Sequence, residues 1–195
     1  LQAAAQRAAQ RVRYYEQART FVRIVGQHAL AQPEAERVHI CTGGGPGIME
    51  AANRGASEAG ASTIGLNITL PHEQHSNPYI TPGLSFKFHY FALRKMHFML
   101  RAKALVVFPG GFGTLDELFE CLTLIQTGKV KPIPIVLFDP DYWRRIIVFD
   151  ELVAEGMIAP EDPKLITFVD SADAAWYAIS DFYRLNGKAS APTAA

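Results

Sequence analysis

Two kinds of apolar run alternate along the chain. Short runs of apolar residues fall at 37–41 (RVHIC), 62–67 (STIGLN), 104–108 (ALVVF), 134–138 (PIVLF) and 165–169 (LITFV). Runs this short, bounded by turn residues, read as strands, and the near-continuous ALVVF reads as a strand covered on both faces. SFKFHYF, 85–91, is ambiguous and is taken as a further short strand. Longer segments with apolar residues at helical spacing lie between them, at 48–60, 92–102, 114–127, about 140–155 and 171–185. Gly60 and Gly128 sit where C-caps belong. Residues 1–30, rich in Ala, Gln and Arg, read as a helix with Val12, Tyr15, Phe21 and Val25 as its buried positions. Pro33 breaks that pattern, and ITLPHEQHSNPYITPG is a long irregular loop with three prolines.

Strands alternating with helices predict an α/β protein: a parallel sheet with helices on both faces. There is no internal repeat and no visible boundary, so residues 1–186 are expected to form a single domain, and the small polar tail 187–195 to be disordered. Folds of this type usually open with a strand, whereas here about 30 helical residues come first. That raises the question of an N-terminal strand missing from this chain.

Composition narrows the function. The 195 residues carry 19 basic and 19 acidic side chains, a formal net charge of zero, which argues against a nucleic-acid binder. No apolar run approaches the roughly 20 residues of a membrane span. The polar, helical opening LQAAAQRAAQRVR does not read as a signal peptide. Cys41 and Cys121 suggest neither a disulfide framework nor a zinc site, so a reducing cytoplasm is the default expectation.

The chemistry gathers at two glycine loops, 43–47 (GGGPG) and 110–113 (GGFG), each following a strand and opening a helix. In parallel sheets ligands sit at the carboxyl ends of strands, where both loops belong. Glycines let backbone N–H groups approach an anion, and the helix dipole adds about half a positive charge. Gly44, Gly45 and Gly47, and Gly110, Gly111 and Gly113, are therefore candidates to hold a phosphate. Neither loop matches GxxxxGK[ST]. Gly111-Phe112-Gly113 lacks a third glycine, and 62–67 ends in Leu66-Asn67 with no acid for a ribose, so ATP and NAD are weak readings. A ligand-free alternative stands beside the phosphate reading. Thr114-Leu115-Asp116-Glu117 has the T-x-x-E form of a capping box, which satisfies helix N–H groups unaided, and Pro46 suits the first turn of a helix.

Other residues carry less. His72-Glu73-Gln74-His75 falls one residue short of H-E-x-x-H and lies in a proline-rich loop; no metal or cofactor is expected. Cys41 is read as a small buried apolar residue, and Met96, Phe98 and Met99 as core positions. Arg94 and Lys95 are either solvated heads on long stems or two cations that hold a phosphate.

Three segments, GGGPGIMEAANRGA at 43–56, LRK at 93–95 and PGGFGTLDE at 109–117, together resemble the Lonely Guy family of cytokinin-activating phosphoribohydrolases, whose members were often labelled "possible lysine decarboxylase". The resemblance is strong over about 38–128 and loose to about 185. It implies a Rossmann-like fold, a homodimer or larger homo-oligomer, and hydrolysis of the N-glycosidic bond of nucleoside 5′-monophosphates to free base and ribose 5-phosphate. By motif position Arg94 and Glu117 correspond to the catalytic pair, and Gly110, Gly111, Gly113 and Thr114 to the phosphate cradle. The chain departs from plant-type members at Phe91-Ala92-Leu93 before the Arg-Lys pair, and at Glu50, where those members usually carry Gly. Both departures look like a bacterial branch and leave the preferred base open. The family's first strand, with its Gly-Ser turn, is absent from this sequence.

The chemistry suits these residues. Breaking the bond between C1′ and the base builds positive charge on the ribose, which a fixed carboxylate such as Glu117 stabilises. Arg94 cannot serve as an acid at neutral pH and is assigned to phosphate or substrate positioning. Glu50, Asp116, His89 and water remain candidates to protonate the leaving base. A nucleotide sensor or cofactor carrier of the same fold is the competing expectation. Lysine decarboxylation is not, because nothing here supports the pyridoxal phosphate on a Schiff-base lysine that it needs.

Overall fold

The computed structural model describes residues 2–69 and 75–185, with side chains from Ala8 to Arg184 within those ranges. They fall into two compact units. Among the described residues, one runs up to Leu100 and takes in Arg184 and Leu185, and the other is Arg101–Tyr183. Both are built on parallel sheets with helices on both sides, as the alternating pattern predicts. No helix among the described residues is long and apolar enough to cross a membrane.

In the first unit, helix α1 (Gln2–Leu30) precedes strand β1 (Ile40–Thr42), helix α2 (Ile48–Glu58), strands β2 (Thr63–Ile68) and β3 (Ser85–Phe88), and helix α3 (Phe91–Leu100). The sheet order is β1-β2-β3, with Cys41 level with Ile64 and Leu66 level with Phe86. α1 buries a stripe at helical spacing: Tyr14, Ala18, Phe21, Val22, Val25 and Ala29. Phe21 and Val25 match the sequence expectation, but Val12 is exposed and Tyr15 only half-buried. The true stripe passes instead through Tyr14 and Ala18. On the face of α1 toward α2, the Arg19 guanidinium reaches the Glu58 carboxylate, with Nε and Nη2 each donating at 2.8 Å. α2 ends as its glycine predicts: Gly60, at φ 77°, follows the Ala59 cap.

In the second unit, strand β4 (Leu105–Val107), helix α4 (Phe112–Gln126), strand β5 (Ile135–Phe138), helices α5 (Pro140–Ile146) and α6 (Phe149–Ala154), strand β6 (Ile166–Val169) and helix α7 (Ala172–Leu185) follow in turn. β5 lies between β4 and β6, and all four of its residues are wholly buried. Two elements differ from expectation. The helix anticipated over 140–155 is two helices: Ile147 is extended at φ −135°, within the β-branched run Ile146-Ile147-Val148, whose stiff side chains disfavour a further helical turn. The helix anticipated from Thr114 begins two residues earlier, at Phe112.

Candidate active site

The first glycine loop leaves the carboxyl end of β1. Gly44 (φ 74°) and Gly47 (φ 73°) occupy the left-handed region, and a Cβ on Gly44 would lie 2.5 Å from the Asn67 amide oxygen. A buried polar network holds this loop. The Thr42 hydroxyl donates to Asn53 Oδ1 at 2.8 Å and accepts from the Gly44 N–H at 3.0 Å. Asn53 Nδ2 donates to Thr63 Oγ1 at 2.5 Å. Asn77, from the loop after β2, donates from Nδ2 to Asn53 Oδ1 at 2.8 Å and to the carbonyls of Gly44 and Gly45, each at 3.1 Å. With the Gly44 carbonyl turned to Asn77, the Gly45 N–H of the same trans peptide points the opposite way. α2 then starts at Gly47 with no side-chain cap, leaving its first N–H groups oriented for an acceptor.

Arg94 belongs to this loop's surroundings. Its Nε donates to the Leu66 carbonyl at 2.9 Å, its guanidinium lies 5.1 Å over the Phe98 ring, and its Nη2 is 2.6 Å from where a Gly43 Cβ would stand. The missing Gly43 side chain thus leaves the space that the Arg94 guanidinium and the Met49 sulfur occupy. Glu50, in the first turn of α2, accepts from the Tyr15 hydroxyl at 3.0 Å. Burial, the larger influence, and the Glu50 hydrogen bond both hold the Tyr15 phenol above its usual pKa, partly opposed by Arg54. Lys95 is half-buried, and His89 is exposed with its Nδ1 3.3 Å from the Thr69 hydroxyl. Cys41 is exposed, against the expectation that it would be buried. The protein around its thiol nevertheless desolvates it and pushes its pKa to about 11, outweighing Arg94 nearby, so it is no activated nucleophile. His72, Glu73 and Gln74 lie outside the described residues, and His75 is exposed.

The second glycine loop leaves the carboxyl end of β4. Gly111 is the N-cap of α4 and supplies no side-chain cap. The Thr114 and Leu115 N–H groups donate to its carbonyl at 3.0 and 3.1 Å. The T-x-x-E capping box is therefore corrected: Thr114 lies within the first turn rather than at the cap, and Glu117 lies beyond it. Glycine is the reason. A Cβ on Gly110 would lie 2.1 Å from Thr114 Oγ1, so only glycine lets the helix wind back into the loop. Glu117 is half-buried and Asp116 exposed. The Tyr142 hydroxyl of α5 donates to the Gly110 carbonyl at 2.9 Å.

The predicted residues thus assemble in two groups. Gly44, Gly45, Gly47, Glu50, Arg94 and Lys95 belong to the first unit, and Gly110, Gly111, Gly113, Thr114 and Glu117 to the second. Sequence reasoning missed Asn53, Asn77, Asp139 and Tyr142. Asn53 could have been found as the one amide among the small residues of α2's buried face, and Asp139-Pro140 as a cap followed by the proline favoured at the first helical position.

Parallel sheets with glycine loops at strand ends make this a Rossmann-like α/β protein. The chain belongs to the family described as "Possible lysine decarboxylase", whose model matches residues 49–179, and this is the Lonely Guy family. It is 28% identical over 140 residues to a cytokinin riboside 5′-monophosphate phosphoribohydrolase of Arabidopsis thaliana, covering 70% of this chain and 63% of the relative. It is 29% identical over 133 residues to one of Oryza sativa subsp. japonica, covering 67% and 54%. The chain thus spans less than two thirds of either relative's length. Among solved structures, the fold is shared with the molybdenum cofactor binding protein of Rippkaea orientalis (18% identity, 87% of each chain, TM-score 0.60) and the molybdenum cofactor carrier protein of Chlamydomonas reinhardtii (22% identity, 88% of each chain, TM-score 0.58).

Proposed function

We propose that the chain hydrolyses the N-glycosidic bond of a nucleoside 5′-monophosphate, releasing the free base and ribose 5-phosphate. The observation that carries this reading is the start of α4. Its N-cap is a glycine without a capping side chain, and a half-buried carboxylate, Glu117, stands on the same helix just past the first turn. The open N–H groups suit a phosphate, and the carboxylate suits the positive charge that develops on the ribose. Arg94 is assigned to positioning, since a guanidinium keeps its proton at neutral pH. Family membership supports the reaction class, and the names of the plant relatives support a cytokinin-like purine riboside monophosphate as the substrate to try first. Glu50 and the Phe91-Ala92-Leu93 run set the chain apart from plant-type members and fit a bacterial branch with its own base preference.

The alternative is a carrier that binds a phosphorylated ligand without turnover, a reading favoured by the occurrence of the fold in molybdenum cofactor carriers. One experiment separates them: incubation with a panel of nucleoside 5′-monophosphates and chromatography for free base. The hydrolase releases base from AMP or a related monophosphate, and not from the unphosphorylated nucleoside. Tight binding with no release makes the chain a carrier, and equal rates on adenosine and AMP overturn the phosphate role of residues 110–114.

A further inference from the structure

We propose that Tyr142 is a positioning residue of the second glycine loop: its hydroxyl fixes the Gly110–Gly111 peptide so that the Gly111 N–H faces the substrate phosphate. This rests on the reading of residues 110–114 as a phosphate cradle.

β4 and β5 are parallel neighbours, so their carboxyl ends emerge side by side. The end of β4 runs into Pro109-Gly110-Gly111, and the end of β5 into Asp139 and α5. Asp139 is buried and is the one non-glycine residue at positive φ, 74°, among the described residues. Such a conformation is strained and persists only where its surroundings over-determine it. Here they do. The Asp139 N–H donates to the Val169 carbonyl at 2.8 Å, its carboxylate accepts the Tyr142 N–H at 3.0 Å, and Pro140 presets the first helical turn. The next residue, Trp143, is wholly buried and donates its indole N–H to the Phe138 carbonyl at 2.9 Å.

Tyr142 is thus held by Asp139 through its N–H and packs edge-on against the Trp143 ring, and its hydroxyl meets the Gly110 carbonyl at 2.9 Å. Carbonyl and N–H of a trans peptide point in opposite directions. With the Gly110 oxygen drawn toward Tyr142, the Gly111 N–H is turned away from it. A Cβ on Gly110 would lie 2.1 Å from Thr114 Oγ1, so the space beside Gly110 admits only glycine. The Tyr142 hydroxyl thus ties the peptide that offers the N–H at its carbonyl end.

Tyr142→Phe keeps the ring and removes only the hydroxyl. Ribose 5-phosphate, which has no base to lose, is the probe, with ribose as the control, both measured by calorimetry. The affinity for ribose 5-phosphate is expected to fall about tenfold, the loss of one well-placed hydrogen bond. The KM for a cleaved monophosphate should rise by the same factor, with kcat within twofold and the melting temperature within a few degrees. A merely structural role would move the melting temperature and leave the affinity alone. Wild-type binding matched by Tyr142→Phe overturns the proposal while leaving the cradle standing. Failure of the wild type to bind ribose 5-phosphate overturns the cradle and this proposal with it.

Discussion

Asn77 holds the carbonyl of Gly44 twice, with its backbone N–H at 2.8 Å and its side-chain amide at 3.1 Å. The same amide reaches the Gly45 carbonyl and Asn53 Oδ1, and the residue is only 7% exposed. Removing the side chain takes a donor from each of these acceptors. The Gly44 carbonyl keeps the backbone N–H and Asn53 Oδ1 keeps the Thr42 hydroxyl, so the Gly45 carbonyl bears the main loss, and a buried acceptor left unsatisfied costs on the order of 1–3 kcal/mol. Asn77→Ala is expected to lose about 3 kcal/mol of stability, read from the denaturant midpoint. Because the backbone donor remains, the first glycine loop should loosen rather than unfold. Faster amide exchange confined to residues 43–48 would report that.

The acid stability of the first unit should depend on Glu58. Its carboxyl is held below its usual pKa of 4.5, chiefly by the hydrogen bonds from Arg19 and secondarily by Arg54, whose Nε donates at 2.9 Å. A depressed folded pKa means a contribution fully present above the unfolded value and lost as the pH falls through the folded one. Glu58→Gln should therefore lower the denaturant midpoint at pH 6. The gap to wild type should close as the pH drops below 4.5. A gap that persists unchanged at low pH would mean the ion pairs contribute nothing measurable, the usual finding for exposed pairs.

α3 has no buried residue, although its sequence is mostly apolar. The expectation that Met96, Phe98 and Met99 form core is corrected: Met96 is 47% exposed and the other two are half-buried. Leu93, Met96 and Leu100 share one face at helical spacing and are all exposed. A contiguous apolar face of this kind marks an interaction site, and a homodimer is the proposed occupant. Light scattering should give about twice the 21.5 kDa chain mass. Leu93→Lys with Leu100→Lys should return the value to that of one chain.

The sequence made the elements legible because each was carried by local information. The strands were short apolar runs, the helices ended at Gly60 and Gly128, and both glycine loops announced themselves by composition. What stayed hidden was set by partners far along the chain. Asn77 looked like one polar residue in a proline-rich loop, and its role depends on meeting Gly44 33 positions away. Tyr142 reaches Gly110 across 32 positions. Val12 and Tyr15 lost their expected burial because several apolar registers fit the same helical stripe, and the folded chain buries the one through Tyr14 and Ala18. The capping box misled because Thr114 and Glu117 have the right spacing for it. The steric freedom of Gly110 then let the helix start earlier and moved both residues inward.

That shift sharpens the test of Glu117. A carboxylate within a capping box would change stability and chemistry together, and the two effects would be hard to separate. Glu117 lies past the first turn of α4, whose cap is the backbone of Gly111, so Glu117→Gln removes no capping interaction. Because the amide is isosteric with the carboxylate at this half-buried position, the melting temperature should shift by no more than a few degrees. The barrier is another matter. Stabilising positive charge on the ribose needs the negative charge, which the isosteric amide lacks, so turnover of a nucleoside monophosphate should fall about a thousandfold, on the order of 4 kcal/mol. Ribose 5-phosphate binding should survive, because the N–H groups of the loop are untouched. Turnover near the wild-type rate with an unchanged melting temperature would leave Glu117 without a catalytic role. Glu50, already tied to Tyr15 at 3.0 Å, and Asp116, exposed on α4, would then be the carboxylates to replace next.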